Sequence, residues 1–243
     1  MREYVISPLS EQAVIISLTD ETLEDTQRFI HLLIQFIEKD HFPGYIECVP
    51  GMQSLCIYYD LTRVSEWNND RFPMVNSSSY DIVTRWLTVR LDDLLHHSTE
   101  EQRSVRPVVQ IPVCYCSLCG PDAEAVSHLR AMTKHELVSI HVAGEYTVAM
   151  IGFLPGFPYL DGLDERLVVP RRNTPRKQVA AGSVAIAESQ SGIYPTQSPG
   201  GWNIIGRTST ILFDEFRSPP SLLQIGDHVK FIEVPHDEQG KVN

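Results

Sequence analysis

No run among the 243 residues approaches the roughly 18 apolar positions that a membrane-spanning helix needs, although 42% of the chain is hydrophobic. A spanning segment is not expected. Met1-Arg2-Glu3-Tyr4 leads into neither an apolar segment nor a cleavage-like site, so no secretory signal is expected and the location reads as cytoplasmic. Cysteine is sparse and odd in number (Cys48, Cys56, Cys114, Cys116, Cys119), which favours reduced thiols over a disulfide framework. Positive charge is scarce as well: 20 Lys and Arg face 31 Asp and Glu, a net charge of -11, with no basic stripe interleaved with aromatics. That argues against nucleic acid as a partner. Gly-x-x-x-x-Gly-Lys-Ser/Thr does not occur, so no P-loop holds ATP, and Ser183 and Ser198 lack a Gly-x-Ser-x-Gly elbow.

What is present divides in two. Residues 1–97 hold 15 acids against 7 Lys and Arg, and the rest hold 16 against 13, so an anion-handling surface belongs in the second part. The first part opens on the apolar strand Ala13–Leu18. Asp20 then stands as a helix cap, with Glu21, Glu24 and Asp25 suiting the dipole of the first turn. Leu23, Ile30, Leu33, Ile34 and Ile37 recur at helical spacing up to His41-Phe42-Pro43-Gly44. Strands at Tyr45–Val49 and Ser54–Tyr59 and a helix on Ile82, Trp86, Val89 and Leu94 complete an α/β sandwich, with His96-His97 at the last helix end.

Residues 98–106 are polar and aperiodic and read as a linker between domains 1–97 and 107–235, with a polar tail from 236 to 243. Beyond the linker come a strand near Val108–Val113, a short helix around Asp122–Met132, and a second helix from Thr133, which forms a capping box with Glu136. Short β-prone runs follow, at Tyr146–Phe153, Ser183–Ala187, Asn203–Gly206, Thr210–Asp214 and His228–Val234. Dense Pro and Gly between them indicate a closed barrel, and the chain as a whole reads as α+β.

The richest segment is Ile151–Asp214. Pro, Gly and aromatics alternate through Gly152-Phe153-Leu154-Pro155-Gly156-Phe157-Pro158-Tyr159, a rigid loop presenting apolar faces to a partner. Arg166, Arg171, Arg172, Arg176 and Lys177 fall within 12 positions, and Arg207 follows. Either these arginines grasp a phosphate or carboxylate, or they pair with Asp161, Asp164 and Glu165 as solvated charges. Ser198-Pro199-Gly200-Gly201-Trp202 likewise has two readings: glycine amides approaching a ligand under Trp202, or a tight barrel turn closed by a core tryptophan. Cys114-x-Cys116-x-x-Cys119 has half the spacing of a zinc site, but no second cysteine pair follows and the nearest histidine is His128, so no metal is expected.

Taken in order, Gly-Phe-Leu-Pro-Gly-Phe-Pro-Tyr-Leu (152–160), Pro-Arg-Arg (170–172), Pro-Arg (175–176), Ala-Gly-Ser-Val-Ala-Ile-Ala (181–187), Gly-Ile-Tyr-Pro (192–195) and Ser-Pro-Gly-Gly-Trp…Ile-Gly-Arg-Thr (198–208) resemble the PxpB/KipI family, also called allophanate hydrolase subunit 1. The resemblance covers nearly the whole chain. It implies a small α/β domain and a cyclophilin-like β-barrel. It also implies one of two functions: the PxpB-type component of an ATP-dependent 5-oxoprolinase, working with PxpA-like and PxpC-like partners, or inhibition of a sporulation histidine kinase. In the first, ATP with Mg2+ is used at a subunit interface. Arg171, Arg172, Arg176, Ser183, Tyr194, Ser198, Gly200, Gly201 and Trp202 bind substrate or phosphate, while Phe153, Phe157 and Tyr159 meet the partner. His141, which matches a family histidine, and Arg207 are the catalytic candidates; for His141 a satisfied structural histidine is the other reading. Two departures stand out: Cys114–Asp122 lacks the family's glycine pair and acid, which puts a backbone-binding role for that loop in question, and Ala180 stands where proline is common.

Overall fold

A computed structural model describes residues 3–19, 23–71, 77–97 and 108–235. Asp20 and Glu21, the linker at 98–106 and the tail at 236–243 lie outside them. The chain divides into two compact units, Met1–Ser104 and Val105–Asn243. Among the described residues no helix is long and apolar enough to cross a membrane.

Unit 1 has strands β1 (Glu3–Ser10), β2 (Ala13–Thr19), β3 (Tyr45–Pro50) and β4 (Ser54–Tyr59), and helices α1 (Leu23–Lys39), α2 (Leu61–Arg71) and α3 (Ser79–His97). The antiparallel sheet runs β1-β2-β4-β3. Alternation puts Val14, Ile16 and Leu18 of β2 and Leu55, Ile57 and Tyr59 of β4 on one face. That face buries against Phe29, Ile30, Leu33 and Ile37 of α1 and Val83, Leu87 and Leu91 of α3. Of the expected α3 stripe, Ile82 is buried in this core and Trp86 and Leu94 pack against it, while Val89 is exposed; Val83, Leu87 and Leu91, on a neighbouring row of the same helix, complete the buried face. α2 carries few apolar residues, and the Asp60 carboxylate accepts from the Arg63 amide at its start.

Unit 2 has β5 (Val109–Val113), α4 (Ala123–Leu129), α5 (Lys134–Ala143), β6 (Tyr146–Ile151), β7 (Pro158–Asp161), β8 (Arg176–Val179), β9 (Ser183–Ala187), β10 (Gln190–Ile193), β11 (Ser198–Gly200), β12 (Asn203–Arg207) and β13 (His228–Glu233). Seven strands form a sheet in the order β12-β9-β10-β7-β6-β13-β5, in which β13 and β5 run parallel, and β8 and β11 make a separate ribbon. The two edges of the seven-stranded sheet meet just past β5. The Cys114 amide donates to the Arg207 carbonyl at 2.8 Å and the Arg207 amide to the Cys114 carbonyl at 2.9 Å. This seam nearly closes a barrel around Ile111, Val113, Val148, Leu160, Val184, Ile186, Ile205 and Phe231. The α+β organisation and barrel follow the sequence expectation.

The Thr133–Glu136 capping box forms in both directions, the Thr133 hydroxyl accepting from the Glu136 amide at 3.1 Å. The strand expected at Thr210–Asp214 does not form; only a single bridge, Phe213 to Ser221, occurs there. The Arg217 guanidinium instead gathers the carbonyls of Ile211, Leu212, Pro219 and Pro220, folding the segment into a loop.

Candidate functional site

The segment between β7 and β12 wraps a small aromatic cluster outside the main core. Phe157, Tyr194 and Trp202 are buried there, with Phe157 at 5.2 Å from Tyr194 and 5.7 Å from Trp202, both edge to face. Tyr159 packs 5.8 Å from Trp202 at the half-buried border. Gly200 lies against the Tyr194 phenol: a Cβ there would come 2.3 Å from the hydroxyl, so only glycine lets the two meet.

Charge reaches this cluster from the loop between β7 and β8. Burial raises the Tyr194 and Tyr159 pKa values, and Arg171 opposes that shift at both phenols, with Arg176 adding to it at Tyr194. Arg171 is exposed, and its Nε sits a loose 3.5 Å from the equally exposed Glu188. Arg172 and Arg176 are held more firmly. Arg176 grips Asp122 with Nη1 on Oδ2 at 2.7 Å and Nη2 on Oδ1 at 2.8 Å, and Arg172 Nη1 reaches Oδ1 at 2.6 Å. The Ile204 amide supplies a fourth donor to Oδ2 at 2.7 Å. Asp122 is 3% exposed. The Arg172 backbone amide bonds the Gly201 carbonyl at 2.8 Å, tying the arginine loop to the glycine turn. Among the described residues, Arg172 Nε is buried without a hydrogen-bond partner.

Thus Arg171, Arg172, Arg176, Tyr194, Gly200, Gly201 and Trp202 come together, with Tyr159 beside them. For Arg172 and Arg176 the ion-pair reading holds, though with Asp122 and not with the acids nearer in sequence; Arg166 does pair with Asp164, at 2.7 Å. The Trp202 turn is a packed turn, since Trp202 is 6% exposed. A single wall of free guanidinium groups is therefore not formed.

Other expected site residues lie elsewhere. Arg207 sits on the barrel seam, its Nε donating to the Ala181 carbonyl at 3.1 Å. Ser183 is buried opposite it in the β9–β12 ladder, and Ser198 is buried with its hydroxyl on the Pro199 carbonyl. His141, the other catalytic candidate, sits in the barrel core in the manner of a satisfied structural histidine. It is 0% exposed, stacked 4.5 Å from Phe231, with Nδ1 2.8 Å from the Tyr115 hydroxyl and Nε2 3.2 Å from Ser191 Oγ. Burial lowers its pKa to about 3, which favours a neutral ring within the core.

Of the partner candidates, Phe157 is buried and Phe153 is exposed. Phe153 holds φ 69°, a left-handed conformation costly for a bulky residue, locked by the Leu154 amide on the Gly152 carbonyl and the Phe157 amide on the Leu154 carbonyl. Its ring extends the aromatic ladder, 5.6 Å from Phe157, into solvent. Sequence reasoning missed Asp122, the hub of the cluster. Its one signal was an acid at a helix start that makes no capping bond, and that is visible only in three dimensions. Two concavities, of about 360 Å³ beside Arg130, Glu136 and Arg166 and of about 260 Å³ beside Trp67, Trp86 and Arg90, do not include the Tyr194 cluster.

A small α/β unit followed by a nearly closed barrel, with a cationic and aromatic patch on the barrel's rim segment, defines a carboxyltransferase-type barrel protein. The chain belongs to the PxpB/KipI family: the family model described as carboxyltransferase domain, subdomain C and D, matches residues 4–223. It is 39% identical over 231 residues to the 5-oxoprolinase B-subunit of Bacillus subtilis (strain 168), covering 95% of this chain and 93% of that one. It is 37% identical over 227 residues to the protein of the same name from Haemophilus influenzae, covering 93% and 96%. Among solved structures, TTHA0988 superposes with a TM-score of 0.73 at 30% identity, covering 93% of this chain and 40% of that one.

Proposed function

We propose that this chain is the PxpB-type component of an ATP-dependent 5-oxoprolinase, which hydrolyses 5-oxo-L-proline to L-glutamate with ATP in a complex with PxpA-like and PxpC-like subunits. The observation that carries the reading is end-to-end similarity to proteins named for that component, with more than nine-tenths of both chains aligned. The local chemistry supports it. The exposed Arg171 guanidinium, at the edge of the Tyr194 cluster, is a donor suited to a substrate carboxylate or a phosphate.

The residues present do not by themselves suit Mg2+ at this cluster. Asp122 spends both oxygens on four donors, and Glu188 faces Arg171 in solvent. In this reading the nucleotide and its metal are held by a partner or at the subunit boundary, and the present chain contributes anion recognition and docking through Phe153. Docking through an exposed aromatic equally serves the alternative, inhibition of a sensor histidine kinase.

Mixing the purified chain with its PxpA-like and PxpC-like partners should release ADP and glutamate in proportion to 5-oxoproline. Arg171→Ala should cut that turnover about 10- to 100-fold, the loss of one charge-assisted contact, while the complex still assembles. A complete mixture without turnover would sink the reading, and a drop in autophosphorylation of a cognate kinase on adding the chain would favour the alternative.

A further inference from the structure

The turn after β5 contains a cluster the proposed function does not use. The Sγ atoms of Cys114, Cys116 and Cys119 all lie within 4.8 Å of one another. Cys114 and Cys119 are buried and Cys116 is half-buried, so the group opens to solvent on one side only. The backbone prepares the site. The Cys119 and Gly120 amides close back on the Cys116 carbonyl at 3.0 and 2.8 Å, and a Cβ at Gly120 would strike the Ile205 carbonyl at 2.0 Å. Cys116-x-x-Cys119-Gly120 is therefore a tight knuckle pressed on β12 that brings the three thiols together.

We propose that Cys114, Cys116 and Cys119 bind a thiophilic divalent cation, zinc, through three thiolates, with a water as fourth ligand on the open Cys116 side. Tetrahedral zinc with Zn–S bonds of about 2.3 Å sets its sulfurs about 3.8 Å apart, so the observed triangle needs to tighten by no more than about 1 Å. Binding releases the three S–H protons to solvent and leaves no oxidation state changed. The spacing of the cysteines alone offers three ligands and no fourth; the fold adds that the three converge.

The position suggests what the ion does. Cys114 forms the seam with Arg207, and two residues beyond Gly120 stands Asp122, which holds Arg172 and Arg176. A cation here pins the barrel closure and the carboxylate clamp together.

The test uses the full chain, reduced and metal-free, titrated anaerobically with Co2+ as the probe. A thiolate-to-cobalt charge-transfer band should grow to one equivalent and vanish on adding Zn2+, and zinc should raise the thermal midpoint while a chelator reverses the rise. Cys116→Ser, at a half-exposed position, should keep the circular dichroism spectrum and weaken Co2+ binding at least tenfold. Cys48→Ser, in the other unit, should bind as the parent does. No cobalt band, or one that survives in Cys116→Ser, would overturn the proposal. So would the loss of two titratable thiols in air from a chain that binds no cobalt, since that would make the cluster a disulfide pair.

Discussion

Replacing Asp122 by Asn tests whether one buried carboxylate organises the arginine cluster. The variant keeps the shape and removes the charge. An amide nitrogen at either oxygen position then faces donors: Arg172 and Arg176 at Oδ1, or Arg176 and the Ile204 amide at Oδ2, at distances of 2.6 to 2.8 Å. Breaking a buried pair by removing one partner costs about 3–5 kcal/mol. The two guanidinium groups keep 34% and 24% side-chain exposure and can recover some hydration, which places the expected loss near the lower bound, about 3 kcal/mol. For a unit of this size that lowers the thermal midpoint by roughly 6–12 °C. Trp202 reports unit 2 selectively once Trp67 and Trp86 are replaced by Phe, so urea and thermal unfolding followed by its fluorescence isolate the effect. Arg176→Met and the double variant complete a cycle, and the two changes should be strongly non-additive because Arg176 has lost its partner in either case. A loss under about 1 kcal/mol, or additivity across the cycle, would refute the clamp as the organiser of the site.

The buried His141 makes stability depend on pH. Its folded pKa of about 3 lies below the unfolded value near 6.5, so as pH falls below 6.5 only the unfolded chain takes up the proton. The contribution is complete above pH 6.5 and is lost at up to about 1.4 kcal/mol per pH unit toward pH 3. Urea unfolding at pH 7, 6 and 5 should show this slope, and His141→Gln should flatten it; parallel slopes would contradict a neutral core imidazole. Phe153→Gly removes both the left-handed strain and the exposed ring, so the isolated chain should be as stable as the parent or more so. Its co-elution with a PxpC-like partner should weaken, and undiminished assembly would show that Phe153 is not a docking residue.

What could be read from the sequence was local. The Thr133 cap, the strands at β4 and β9 and the α1 positions Ile30, Leu33, Ile34 and Ile37 each depend on near neighbours in the chain, and each stands where the pattern put it. β8, β10 and β11 have three or four residues apiece, too few for a period, and exist because distant segments pair with them. The arginines show the same limit at the level of chemistry. Their clustering within 12 positions was plain, but a carboxylate 50 and 54 residues upstream decides where two of them point. Composition could not separate Arg207 from the others either, because its place is fixed by the pairing of Cys114 across the seam. The histidine at 141 matched a family position, and its type suited acid–base work. Its helix turns it instead toward Tyr115, Ser191 and Phe231, three residues from three different strands or their ends. In each case the missing information is barrel closure. Once Cys114 meets Arg207 and Asp122 meets Ile204, the turn between them has one shape. That shape sends Arg172 and Arg176 to Asp122, leaves Arg171 outward at Tyr194, and folds three thiols into one triangle.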